Sequence, residues 1–290
     1  MSRKGIMLAY PFDPNRLKRW QRPWAIQPKL DGDRARAMVG QGNRPVLLSS
    51  EEKPIVSLPH IVQELDKCFS SAPTLILDGE LYIPGCAHQE IHGIVSRKKE
   101  LHPNHERVEY HIFDIAVESP DLTQEVRTSI LEEIIRPMVK ESKALKIVST
   151  DWVSSPEGIS NYLSKFLDEG YEGFILRNRT GIYRPKRSTD MMKFKPRRTD
   201  TYEIVGTTEE VSIEGIPKGT LGAFLCKKDN QIFGVGTGPA LTREARQSLW
   251  KDRASLVGKL LVVKYQQLTE GGIPRFPVAV EIIDSSALLK

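Results

Sequence analysis

The sequence predicts an α+β protein of two domains, on three observations. Its 290 residues exceed the common size of one domain, about 100–200 residues. Short apolar runs rich in Ile, Leu, Phe and Tyr alternate with a few helical stretches, without an internal repeat or low-complexity tract. After Lys195-Pro196 the texture changes to short strands separated by glycine turns. A boundary is therefore expected near residue 197, giving domains 1–197 and 198–290.

In the first domain WAIQPKL (24–30), TLILDGELYI (74–83), EYHIFDIAV (109–117) and GFILR (173–177) read as strands. Helices are expected over Leu58–Phe69, Leu122–Val139 and Ser155–Glu169. The last opens on a serine cap with Pro156 in the first turn and stops at Gly170. In the second domain TYEIVGTTE, GAFLCKK, QIFGVGTG and KLLVVKYQQ read as strands, with a single helix near Thr242–Ser255. Several strands and one helix in about 90 residues suit a small Greek-key β-barrel of the OB type.

Composition excludes some classes. Hydrophobic residues make up 39% and charged residues 27%, and the mean hydropathy is −0.35. No apolar run approaches the roughly 20 residues that span a bilayer, so no membrane association is expected. The N-terminus MSRKGIMLAYPFDP lacks the apolar stretch of a signal peptide. Cys68, Cys86 and Cys226 are odd in number and far apart, which argues against a disulfide framework and against a CxxC zinc site. A reducing, cytoplasmic setting is expected.

Charge is placed unevenly. Between Arg177 and Arg198 nine basic residues face one acid, Asp190, while the whole chain carries only +5, so the remainder is slightly acidic. Charge focused in this way suits a polyanion, and phosphates in particular.

The sharpest local signal is Lys29-Leu30-Asp31-Gly32-Asp33-Arg34, at the end of an expected strand and beside a glycine turn. A lysine placed there can put its amine in a cleft. To act as a nucleophile it must lose a proton, which for an ordinary lysine at pH 7 costs about 4–5 kcal/mol unless nearby cations help. Arg34, Lys193, Lys195 and a bound metal are the candidates for that help.

Lys29-x-Asp31-Gly32-x-Arg34 resembles the nucleophile motif of the covalent nucleotidyltransferases, the superfamily of ATP-dependent DNA ligases, RNA ligases and mRNA capping enzymes. Further motifs of that superfamily have counterparts in the same order: Asp78-Gly79-Glu80, Tyr110-His111-Ile112-Phe113-Asp114, Glu172-Gly173-Phe174-Ile175 and Met192-Lys193-Phe194-Lys195. Beyond residue 200, Gly271-Gly272-Ile273-Pro274-Arg275-Phe276-Pro277 is similar to the Arg-Phe-Pro element of the DNA ligase OB domain. The resemblance thus covers nearly the whole chain and selects the DNA ligase branch over RNA ligases and other covalent nucleotidyltransferases.

The resemblance implies a nucleotidyltransferase domain of antiparallel sheets with flanking helices, followed by an OB-fold domain. It implies ATP and Mg²⁺, or Mn²⁺ in its place, and nicked duplex DNA as partner of a monomeric enzyme serving DNA repair and replication. Lys29 is then the adenylated nucleophile. Arg34 holds phosphate, Glu80 binds ribose hydroxyls, and Phe113 stacks on adenine. Glu172, with Asp31, holds the metal. Lys193 and Lys195, alternating on one strand face, meet the α-phosphate. Gln27, two residues before the nucleophile, shares its strand face and offers an amide oxygen to adenine or caps the strand. With only 28 residues ahead of Lys29, DNA is expected to be gripped by the two domains themselves. Arg177, Arg184, Lys186, Arg187, Arg197 and Arg198 are the expected DNA contacts.

Three departures from the ligase pattern stand out. Ser49-Ser50 replaces a Ser-Arg pair, so its arginine is missing or replaced by Arg44. Position 177 is Arg where the family usually has Lys, and the two are not interchangeable. No basic residue directly precedes Asp284, so Lys264 or Arg275 is expected to supply charge toward the leaving pyrophosphate, or else adenylation is expected to be slow. His88, His92, His102, His105 and His111 fall with Cys86 inside 26 residues. Their spacing matches no closed zinc site, and a polar loop is expected there.

Overall fold

A computed structural model describes residues 4–266, 268–269 and 271–284. The chain forms two compact units, Met1–Lys195 and Pro196–Lys290. The division falls two residues before the expected boundary, at the proline itself.

The first unit contains two five-stranded sheets. One is built from β1 (Leu8–Pro11), β2 (Trp24–Pro28), β8 (Asp151–Val153), β9 (Phe174–Arg177) and β10 (Arg187–Phe194), in the order β1-β10-β9-β2-β8. The other takes β3 (Asp33–Val39), β4 (Pro45–Ser49), β5 (Leu77–Tyr82), β6 (Glu109–Ile115) and β7 (Leu145–Ile147), in the order β4-β3-β5-β6-β7. Each sheet is antiparallel except at one edge, where β1 runs parallel to β10 and β7 to β6.

Helices α1 (Pro14–Leu17), α2 (Pro59–Ser71), α3 (His88–Val95), α4 (Gln124–Ile130), α5 (Arg136–Met138) and α6 (Pro156–Asp168) accompany these sheets. The α6 start follows its sequence signal, since the Ser155 side chain accepts the Gly158 N–H and Pro156 opens the helix. The helix expected over Leu122–Val139 is interrupted. A π-helical turn at Leu131–Ile135 separates α4 from α5, just ahead of Pro137, which has no N–H to give and crowds the carbonyl four residues back. The expected polar loop around His88 is instead α3. Ile91, Ile94 and Val95, at helical spacing, bury one face in the same core as Leu65 of α2 and Leu81 of β5.

The second unit is an antiparallel sheet of β11 (Arg198–Val211), β12 (Pro217–Lys228), β13 (Gln231–Val235), β14 (Leu260–Tyr265) and β15 (Val278–Ile283), ordered β13-β12-β11-β14-β15. Register shifts in β11 and β15 bend it, and the described ladder leaves β13 and β15 as edges. Helix α7 (Arg243–Lys251) begins at Thr242, whose hydroxyl accepts the Ala245 N–H. Tyr202, Ile204, Phe224, Phe233, Leu261 and Val263 form the core of this unit.

Candidate active site

Lys29 lies one residue past β2, where the β2–β9 ladder continues. Its N–H donates to Gly173 O at 2.9 Å, and the Glu172 N–H donates back to Lys29 O at 3.0 Å. This backbone pair sets the two side chains together. Lys29 Nζ stands 2.6 Å from Glu172 Oε2 and donates to Leu30 O at 3.2 Å. Lys195, just after β10, pairs with the other oxygen, Oε1. The Glu172 side chain is only 7% exposed, so one buried carboxylate balances two ammonium groups. Gly173 allows the approach, because a Cβ there would lie 2.1 Å from Phe194 O and its φ is +146°. Burial, then the Lys29 charge, push the Lys195 amine below the usual lysine range, outweighing Glu172.

The second sheet supplies the facing wall. At Gly32 the chain passes over the end of β5, where a Cβ would meet Leu81 O at 2.2 Å. Arg34 then lies opposite Glu80 in the β3–β5 register. Arg34 was expected to hold phosphate. Its partner is instead the fully buried Asp78, reached through Nε at 2.9 Å and through Nη2. Tyr183 donates its hydroxyl to the same carboxylate at 2.7 Å. Asp33 takes a different pair, His88 Nε2 at 3.2 Å and His92 Nδ1 at 2.8 Å, with the two imidazoles stacked.

Glu80 is pushed up from 4.5 to about 7 by burial, with Lys29 and Arg34 opposing and Asp78 and Asp33 adding to the rise. A carboxyl raised on folding binds its proton more tightly in the native state, so its contribution is present below about pH 4.5 and is lost as pH rises through about 7. Glu80→Gln is accordingly expected to flatten the decline in melting temperature between pH 5 and pH 8. Parallel pH profiles for the two proteins would mean that Glu80 ionises as an ordinary surface carboxyl.

Phe113 is half-buried on β6, with the guanidinium carbons of Arg34 and Arg177 at 5.1 and 5.5 Å from its ring centroid. Arg177 requires a correction. Assigned above to DNA, it is 2% exposed and cannot reach a polyanion. From β9 it donates through Nη1 to Asp114 Oδ2 at 2.6 Å and through Nε to Gln27 Oε1 at 2.8 Å. Asp114, fully buried, also accepts from Arg127. Burial alone raises the Asp114 carboxyl, but Arg127 and Arg177 outweigh it and hold it below the usual range. Arg127 was not anticipated, although an arginine on a helix directly after the Asp114 strand is a signal worth weighing. The Gln27 oxygen, offered above to adenine, already serves Arg177, and Gln27 Nε2 donates to Phe113 O and Thr150 Oγ1. These bonds join the two sheets beneath the site.

The rest of the basic segment divides. Arg179 pairs with Glu125 and Arg184 with Asp190 at 2.9 Å, which takes up part of the charge assigned to DNA. Arg187 donates to Ala9 O at 2.6 Å. Lys186, Lys193, Arg197 and Arg198 are exposed, the last two in the second unit. Asp31, two residues after Lys29, is half-buried. Among the described residues no three His, Cys, Asp or Glu side chains gather as a metal site, the histidine cluster included.

A lysine amine held against a buried carboxylate that it shares with a second lysine is an arrangement that suits an activated amine nucleophile. Residues 6–195 match the ATP dependent DNA ligase domain and residues 214–282 the DNA ligase OB-like domain, and the chain belongs to the ATP-dependent DNA ligase family. It is 29% identical over 265 residues to a DNA ligase of African swine fever virus, covering 86% of this chain and 61% of the viral protein. It is 22% identical over 253 residues to the DNA ligase of Haemophilus influenzae, covering 87% of this chain and 84% of that protein. A solved Lig E DNA ligase shares the fold, with a TM-score of 0.75 at 22% identity over 96% of this chain and 98% of that one. The chain thus spans about three fifths of the length of the viral relative it matches.

Proposed function

We propose that the protein seals nicks in duplex DNA, using ATP, through a lysyl-AMP intermediate. The observation that carries this reading is Lys29 Nζ at 2.6 Å from Glu172, with Lys195 on the same carboxylate. Lys29 attacks the α-phosphorus of ATP. The N–P bond forms, the bond from that phosphorus to the bridging oxygen breaks, and pyrophosphate leaves with the electron pair. AMP then passes to the 5′-phosphate of the nick, and the 3′-hydroxyl displaces it. Phe113 stacks on the base, Glu80 faces the ribose hydroxyls, and Lys193 and Lys195 balance charge on the α-phosphate. Positioning and fixed charge supply most of the rate enhancement.

Glu172 and Asp31 suit a divalent metal, Mg²⁺ or Mn²⁺. Glu172 Oε2 is buried and makes no well-directed hydrogen bond, although Lys29 lies 2.6 Å away. Mg²⁺ commonly binds through one or two carboxylates together with substrate phosphates. When bound, such an ion screens the negative charge of the triphosphate. The enzyme is read as a monomer acting in the cytosol or at the nucleoid. Among the described residues no helix is long and apolar enough to cross a membrane.

Incubation with α-labelled ATP or GTP and Mg²⁺ is expected to label the protein from ATP, with an acid-labile bond. Label from GTP instead would indicate a capping-type enzyme, and sealing of RNA nicks only would indicate an RNA ligase. DNA is read as lying along the exposed cations of the basic segment. Nick affinity should therefore fall steeply with salt, and replacing Lys186, Arg197 and Arg198 together by Ala should reduce the slope of log affinity against log salt by up to about 3. An unchanged slope would place the DNA elsewhere.

A further inference from the structure

Gln27 has almost no hydrogen-bonding capacity left to offer. Both amide hydrogens are taken, by Phe113 O at 3.0 Å and Thr150 Oγ1 at 2.8 Å. Its oxygen accepts from Arg177 Nε at 2.8 Å, which leaves one lone pair. Turning the amide over would set nitrogen against the Arg177 donor and oxygen against the Phe113 carbonyl, two mismatches at once. The orientation is therefore dictated by the neighbours.

Arg177 is itself held in place. Its Nη1 donates to Asp114, which also accepts from Arg127 Nε at 2.7 Å. Arg127 Nη1 in turn donates to Leu122 O at 2.6 Å and to Gly181 O at 3.1 Å. Gln27, Asp114, Arg127 and Arg177 are all buried. A lysine at 177 would carry one ammonium on a flexible stem, with no planar fork to serve Gln27 and Asp114 together.

We propose that Arg177 is a positioning residue that fixes the Gln27 amide with its oxygen toward the nucleobase, so that the site selects a 6-aminopurine over a 6-oxopurine; the assignment rests on Gln27 and Phe113 forming the base pocket. A 6-amino group donates a hydrogen to the remaining lone pair. A 6-oxo group opposes acceptor to acceptor, and buried polar groups left unpaired discriminate strongly.

The test measures formation of the covalent enzyme–nucleotide from ATP and from ITP, which differ at position 6 and in the N1 proton that accompanies the 6-oxo group, with a thermal melt for each variant. Wild type is expected to favour ATP by about a hundredfold or more. In Arg177→Lys and in Arg177→Met that preference should fall about tenfold, through improved use of ITP and in KM rather than in the maximal rate. Arg177→Met removes the donor to Gln27 while Asp114 keeps its bonds from Arg127, which keeps the test decisive if Arg177→Lys fails to fold. A wild-type ratio in the folded variants overturns the proposal. Gln27→Leu separates the two levels. If it alone loses the preference, the base pocket stands and only the role of Arg177 falls. If it too keeps the preference, the base does not meet Gln27 at all.

Discussion

Lys29→Ala is expected to form no covalent enzyme–AMP while keeping the wild-type melting temperature within a few degrees. In the proposed reaction the Lys29 amine nitrogen makes the N–P bond, and neither Glu172 nor Asp31 can replace it with an acid-labile phosphoramidate. Folding should survive because the direct polar contacts of the side chain among the described residues are with Glu172 and Leu30 O, and Glu172 retains Lys195. The variant should still seal a nick supplied already adenylated, at a reduced rate, since those later steps need no free amine at position 29. Lys195 provides the sharp control: it shares the same carboxylate, and burial and Lys29 lower its pKa. Labelling of Lys29→Ala at wild-type level, with the label mapped to Lys195, would exchange the roles of the two lysines.

Glu172→Gln should be nearly as damaging as Glu172→Ala, with a loss of at least about a hundredfold in enzyme–AMP formation, equivalent to about 2.7 kcal/mol. One carboxylate stands between two ammonium groups with side chains 19% and 24% exposed. Removing its charge leaves those two cations without their shared counter-charge, so that they repel one another in a partly buried site. Glutamine keeps the shape and one acceptor oxygen but neither the counter-charge nor a carboxylate for a metal. Single-turnover rates at several Mg²⁺ and Mn²⁺ concentrations are the measurement. Near-normal rates in the glutamine variant would reduce Glu172 to a hydrogen-bonding spacer.

Much of the local structure was legible because it depends on near neighbours. The α6 cap needs only Ser155, Pro156 and Gly158, the end of the first unit follows the Lys195-Pro196 pair, and Thr242 starts α7. The α3 helix was legible too, in the spacing of Ile91, Ile94 and Val95, but the histidines between them drew the reading toward a loop. The π-helical turn before Pro137 was signalled by the proline, which marks where a helix changes without specifying how.

Partner choice among charges was not legible in the same way. Asp31, Asp33, Asp78 and Glu80 all lie within the motifs, and spacing alone offered Arg34 the nearer two; burial gave it Asp78 and gave Asp33 to two histidines. Arg177 looked like part of a basic surface because its neighbours in sequence are basic. Its strand carries it into the interior, where Asp114 and Arg127 lie 63 and 50 positions away in sequence. The sequence by itself determined the chemistry: an amine at Lys29, a carboxylate at Glu172, a second amine at Lys195, and glycines where the backbones must nearly touch. The tertiary structure decided which charges neutralise one another and which remain for ligands. Ion pairing depends on distance and on removal from water, and those quantities exist only once β2, β6 and β9 have been brought together.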